Sequence, residues 1–111
     1  MSIVLKNKEI EINGLVPELK DALMLKVEPA FAKLSLNTVI TSGREKYEHS
    51  ATYSRHYAGM AVDVRSKTVK NKERLQGNLK RRLGKDFKVI LESKGKPWEH
   101  YHISYAPTYT E

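Results

Sequence analysis

The chain has 111 residues, 40% of them hydrophobic and 30% charged, which predicts a single compact domain over residues 1–111. It contains no cysteine, so disulfides and thiol chemistry are excluded, and a metal ion would need His, Asp or Glu ligands. A net charge of +7 favours an anionic partner. No stretch approaches the roughly 18 consecutive apolar residues of a membrane-spanning helix. We therefore do not expect an integral membrane protein.

The first part of the chain predicts a strand, a helix and a second strand. Residues 3–12 alternate apolar and polar positions, which indicates a short hairpin or an edge strand. Apolar residues then recur with a helical period over residues 16–34, and Pro29 should kink or divide that helix. Residues 38–41 are typical of a strand. A polar surface loop is predicted to follow, over residues 44–55.

The second part of the chain predicts three strands and one helix. The strands are expected at residues 61–65, 87–91 and 99–105, and the helix at residues 69–83 with Gly84 as its C-cap. One helix followed by strands and a further helix indicates an α+β domain. We expect a small central antiparallel sheet flanked by helices.

Histidines and acidic residues occur together in the predicted strands. His100 and His102 are two residues apart on one strand, so their imidazoles lie on the same face. Asp63, on another strand, and His56 can supply further ligands, because a catalytic zinc ion takes three N or O ligands and keeps one position for water. The same spacing is also typical of surface histidines and a solvated aspartate. From these residues alone, both interpretations remain open.

A longer pattern surrounds two of these residues. Residues 54–63 read Ser-Arg-His-Tyr-Ala-Gly-Met-Ala-Val-Asp and match the pattern S-x-H-x-x-G-x-A-x-D at every fixed position. This segment resembles the first motif of the peptidase M15-like D-Ala-D-Ala metallopeptidases, a group related to lysostaphin-type endopeptidases and the Hedgehog domain. Residues 40–44 resemble the strand and arginine that precede this motif. Residues 87–105 resemble the closing segment with its H-x-H or E-x-x-H motif, so the resemblance spans residues 38 to 105.

The resemblance implies the fold of that group and a bound metal ion. Carried over residue by residue, it makes His56, Asp63 and His102 the zinc ligands. Manganese or cobalt would also accept these ligands, although imidazole-rich tetrahedral sites most often hold zinc. We therefore expect Zn²⁺ as the cofactor.

The resemblance also implies residues that act beside the metal. Glu99 takes the acidic position of E-x-x-H and is assigned as general base, with His100 in an assisting or substituting role. On a regular strand Glu99 would face away from His102 unless the strand begins after residue 98. Arg44 is expected to bind a substrate carboxylate or polarise the scissile carbonyl. Glu92 is interpreted as a strand-end or supporting carboxylate.

The resemblance implies a zinc-dependent peptidase that hydrolyses a D-alanine-containing peptide bond of bacterial peptidoglycan, as an endolysin-type endopeptidase or a carboxypeptidase. The alternative is an inactive zinc-bearing binding domain of the same fold. Expected partners are peptidoglycan stem peptides and, through charge, an anionic cell-wall polymer. No nucleic acid is expected, because the net positive charge is the single feature of the sequence that would favour nucleic-acid binding. We expect a monomer. With no signal-peptide pattern at the N-terminus, we expect synthesis in the cytoplasm and action on the cell wall, after holin release or virion packaging if phage-encoded.

Overall fold

The chain forms an α+β fold around a five-stranded sheet. A computed structural model describes residues 2–43 and 59–107. The strands of these parts of the chain are β1 (Ile3–Leu5), β2 (Thr38–Ser42), β3 (Ala61–Arg65), β4 (Phe87–Glu92) and β5 (His100–Tyr105). Their order across the sheet is β1-β2-β3-β5-β4. The last two strands in sequence are thus hydrogen-bonded neighbours, and β5 lies between β3 and β4.

The sheet is mixed, so the expectation of a purely antiparallel sheet is wrong. β2, β3, β5 and β4 pair in antiparallel fashion, whereas β1 runs parallel to β2, with Ile3 opposite Thr38 and Leu5 opposite Ile40. The reason is the helical segment between β1 and β2, because a crossover of that length returns the chain to the same end of the sheet. β1 is an edge strand, one of the two forms predicted for this segment.

The first helical segment continues through Pro29. It consists of α1 (Pro17–Ala22), a π-helical turn (Leu23–Val27) and α2 (Glu28–Ala32). The N–H of Glu28 donates to the carbonyl of Leu23, five residues earlier. Proline has no N–H, and its ring clashes with the carbonyl four residues before it in a regular α-helix. The π turn directly before Pro29 separates α1 from α2.

The second helix is α3 (Lys72–Leu83), and it has defined caps. The side chain of Asn71 accepts a hydrogen bond from the N–H of Arg74 at 3.1 Å, so the helix begins three residues later than the sequence predicts. At the other end Gly84 has φ of 84° and closes the helix, as predicted. Three leucines spaced four residues apart form one apolar stripe of the helix, and all are buried: Leu75, Leu79 and Leu83.

The core lies on one face of the sheet, and both helical segments contribute to it. Val64 on β3 is opposite Tyr101 on β5, and both are buried in the same cluster as residues from α1, α2 and α3. Phe31 of α2 meets Tyr101 edge to face, with ring centroids 6.3 Å apart. Side chains alternate along a strand, so the neighbours of these core residues lie on the opposite face. In the described parts of the chain no helix is long and apolar enough to cross a membrane.

Candidate metal centre

Three strands bring two carboxylates and two imidazoles together on the face opposite the core. In the antiparallel pairing, Asp63 of β3 lies directly opposite His102 of β5, and Glu92 of β4 lies directly opposite His100. Directly opposed residues have their side chains on the same face of a sheet. We call Asp63, Glu92, His100 and His102 the open-face cluster.

The atoms of the open-face cluster are within direct contact distance. Nδ1 of His102 lies 3.0 Å from Oδ1 of Asp63 and 3.6 Å from Oε1 of Glu92. Nε2 of His100 lies 3.0 Å from the same Glu92 oxygen and 3.5 Å from Oδ1 of Asp63. Ligand atoms of Asp63, Glu92 and His100 all lie within 4.8 Å of one another, close enough for one metal ion. Imidazole nitrogen and carboxylate oxygen are the donors that zinc accepts in sites without cysteine.

A cleft of mixed charge adjoins the cluster. Its wall includes Asp63, His100 and Trp98, together with three basic and two further acidic residues: Lys6, Arg65, Lys67, Glu9 and Glu99. Trp98 is 63% exposed. Arg65 and Lys67 thus offer positive charge beside an exposed indole ring, in a wall that also contains carboxylates.

Glu99 lies outside the open-face cluster. Strand β5 begins at His100, so Glu99 precedes the strand, which is the condition under which it could face His102. The Glu99 carboxylate is nevertheless buried, on the side of the sheet that the helices cover. It accepts hydrogen bonds from Oγ of Ser66 at 2.6 Å and from the N–H of Gly95 at 3.0 Å, and Nζ of Lys72 lies 3.0 Å away. The structure therefore engages this carboxylate with three donors. Its role as general base stays a prediction.

The surroundings of Glu99 also change its acidity. The hydrogen bond from Ser66 is the largest cause, and those from Gly95 and Lys72 add to it, against an opposing effect of burial. Together they lower the pKa of Glu99 from 4.5 to about 2. Such a carboxylate is ionised at neutral pH and holds its proton weakly, which suits an ion-pair partner better than a proton acceptor.

Other predicted residues have different outcomes. Arg44 and His56 lie outside the described residues. The motif glycine, Gly59, has φ of 75°, and a Cβ there would collide with the carbonyl oxygen of Gly14. Its own carbonyl accepts a hydrogen bond from the N–H of Val16 at 2.9 Å. This position therefore requires glycine, both for its positive φ and for its close approach to the backbone of Gly14.

The membership of Glu92 was not predicted. The turn-prone segment between the last two strands was a usable signal, because a hairpin closed around residues 93–99 places Glu92 opposite His100. With His100 and His102 on one face, the same pairing adds Glu92 to that face. The sequence does not state the register, however, and a shift by one residue would move this carboxylate to the core side.

Comparison with known proteins leaves the family of the chain open. No protein-family model, curated protein or solved structure matches it at a significant level. What can be said of its chemistry therefore rests on the residues and the geometry described above.

Proposed function

We propose that the protein is a zinc-dependent peptidase that hydrolyses a D-alanine-containing peptide bond of bacterial peptidoglycan. One observation carries the proposal. Asp63 and His102 come from two separate sequence motifs that the resemblance assigns to zinc, and their side chains lie 3.0 Å apart. Cross-strand pairing of two predicted ligands supports a shared ion, since ligands must converge within a few ångströms.

The residues of the chain fit zinc by their donor chemistry. Asp63 and His102 would hold the ion, with His56 as the third ligand that the resemblance implies. Zinc bound there would act as a Lewis acid on a scissile carbonyl and lower the pKa of a water molecule. The nearby Arg65 and Lys67 would bind the anionic groups of a stem peptide and orient it in the cleft.

The charge of the whole chain supports the same substrate. Cell-wall polymers are anionic, and the net charge of +7 would hold a small protein close to them at low ionic strength. This attraction is weak and non-specific, so the cleft would have to select the peptide. The proposed site of action is therefore the cell wall, with single copies of the chain as the working unit.

The test uses zinc-loaded protein, purified peptidoglycan and a free stem pentapeptide, with products identified by mass spectrometry. Cleaved cross-links would identify an endopeptidase, and released D-alanine a carboxypeptidase. The variant Asp63→Asn should lose activity at least about 100-fold, because a ligand to the metal is removed. The exposed Asp21 of α1 supplies the matched control, Asp21→Asn, which should retain full activity. Equal activity of the two variants would reject the proposal.

A second candidate is a zinc-bearing domain that binds its partner without turnover. The observation that favours it is that Ser66, Gly95 and Lys72 already engage the buried carboxylate of Glu99, the assigned general base. Such a domain would retain zinc and sediment with peptidoglycan, while both substrates stay intact. The same mass-spectrometric experiment therefore separates the two candidates.

A further inference from the structure

The two ring nitrogens of His100 have different partners. Nδ1 lies 2.8 Å from the carbonyl oxygen of Trp98, and Nε2 faces the open-face cluster. A carbonyl oxygen can only accept a hydrogen bond, so the proton of the neutral ring is on Nδ1. The lone pair of Nε2 then points away from the Trp98 carbonyl and towards the carboxylates.

That lone pair meets two acceptors and no donor among its contacts within the cluster. Oε1 of Glu92 lies 3.0 Å from Nε2, and Oδ1 of Asp63 lies 3.5 Å from it. Three electron-rich atoms at such distances repel one another unless a proton on Nε2 or a metal cation between them offsets their charge. A histidine that binds a metal ion typically donates its second N–H to a backbone carbonyl, which is the arrangement of Nδ1 and Trp98.

We propose that Asp63, Glu92 and His100 bind a divalent cation directly, as a set of three ligands that shares Asp63 with the set the family resemblance implies. The inference deepens the proposed function and rests on it for the identity of the ion as zinc. It gives Glu92 a role in binding, and it makes His100 a ligand in place of an assisting catalytic group. Asp63 belongs to both sets of ligands.

The accessibility of the three side chains is consistent with entry of an ion. The side chain of Asp63 is 14% exposed, that of His100 19% and that of Glu92 45%. The two less exposed groups are fixed on neighbouring strands, and the most exposed one can adjust its position. Small shifts of the Glu92 carboxylate would therefore bring its oxygen to the distance of about 2.0 to 2.2 Å at which carboxylates bind zinc.

The loop before β5 holds His100 in this orientation. Glu99 accepts the N–H of Gly95, and its own N–H donates to the carbonyl of Lys96 at 3.1 Å. These hydrogen bonds fix residues 95–99. They therefore also fix the carbonyl of Trp98, which accepts the hydrogen bond from Nδ1 of His100. Through these bonds Glu99 acts as a positioning residue for Nε2 of the next residue, His100. It does not itself contact the ion.

The test is calorimetric titration of metal-free protein with Zn²⁺. Glu92→Gln and His100→Gln should each weaken zinc binding at least about tenfold, since a direct ligand is lost. The matched controls are Glu73→Gln and Asp21→Asn, at exposed positions outside the cluster, and they should bind zinc like the wild type. Unchanged zinc affinity in both Glu92→Gln and His100→Gln would overturn the inference. Circular dichroism of each metal-free variant checks that it is folded.

Imidazole nitrogen NMR gives a second readout that does not depend on a variant. On addition of Zn²⁺, the Nε2 signal of His100 should shift to the metal-bound range while Nδ1 keeps its proton. An Nε2 that carries a proton in the presence of Zn²⁺ would overturn the inference, because that nitrogen would then be a donor to Glu92. Each outcome is read from the same zinc-loaded sample.

The inference and the proposed function can fail separately. A protein that needs Glu92 and His100 for zinc but leaves peptidoglycan intact would support the inference and reject the peptidase. A protein that cleaves peptidoglycan and binds zinc equally well after both substitutions would support the peptidase and reject Glu92 and His100 as ligands.

Discussion

Strand β5 and the loop before it place carboxylates in two different environments. On the helical side, Glu99 receives two hydrogen bonds and an ammonium group. On the other face, Asp63 and Glu92 lie against imidazole nitrogens. Glu99 contacts a hydroxyl, a backbone N–H and an ammonium group, whereas Asp63 and Glu92 contact imidazole nitrogens, which together with carboxylates are the donors that zinc accepts. The partners of a carboxylate, more than its place in a motif, indicate whether it stabilises the fold or binds a ligand.

The largest expected effect comes from removing the shared carboxylate of the open-face cluster. At a zinc concentration about 100 times the dissociation constant, bound metal should add about 2.7 kcal/mol to the free energy of unfolding. Asp63→Asn should lose most of this increment, because Asp63 belongs to both proposed ligand sets. Urea unfolding with and without zinc measures it, with Asp21→Asn as the control. An unchanged increment in Asp63→Asn would show that zinc binds elsewhere.

Removing the charge of Glu99 should weaken the fold itself. Glu99→Gln loses the ionic partner of Lys72 and a hydrogen bond to a charged group, which we expect to cost about 1 to 3 kcal/mol of unfolding free energy. Glu92→Gln, on the exposed side, should change it by less than about 0.5 kcal/mol. Urea unfolding in the presence of a chelator measures both without a contribution from metal. A Glu92→Gln variant as destabilised as Glu99→Gln would contradict the distinction between the two environments.

The acid dependence of stability should also separate the two variants. The pKa of Glu99 is lowered in the folded protein to about 2, from an ordinary value of 4.5. Its contribution is therefore fully present above the unfolded pKa and is lost as the pH falls from about 5 towards 2. Under chelation, the difference in unfolding free energy between the wild type and Glu99→Gln should shrink over this interval. A difference that stays constant would mean that the Glu99 carboxylate is not selectively stabilised in its ionised form.

The sequence predicts the strands that carry the open-face cluster well, because the signal is local. Alternation over residues 61–65 gives the bounds of β3. It also places the side chain of Asp63 on one face of the sheet and those of Val62 and Val64 on the other, as the structure confirms. The spacing of His100 and His102 likewise places both on one face. Such inferences need only the geometry of a single strand.

The environment of Glu99 was beyond such reasoning, because it depends on three segments at once. Ser66 follows β3, Lys72 begins α3 and Gly95 lies in the hairpin loop, and only the packing of α3 against β4 and β5 brings them to one carboxylate. Glu99 also stands one residue before β5, where strand alternation does not yet apply. The parallel pairing of β1 was missed for a similar reason, since it depends on the path of a whole crossover.

A second ion pair joins the same two elements as Lys72 and Glu99 and should contribute least. Glu73, in the first turn of α3, bonds Lys94 of the hairpin loop, which lowers the pKa of the Glu73 carboxyl and raises that of Lys94. Their side chains are 59% and 66% exposed, so water and salt screen the attraction. Glu73→Gln should therefore leave the urea midpoint within error of the wild type, whereas Glu99→Gln lowers it. If Glu73→Gln lowered the urea midpoint as much as Glu99→Gln, an ion pair between α3 and the hairpin loop would stabilise the fold equally whether it is exposed or buried. The expected inequality instead assigns the stabilising effect to the burial of the Glu99 carboxylate with its donors Ser66 and Gly95, whereas the Glu73 carboxylate is exposed to water.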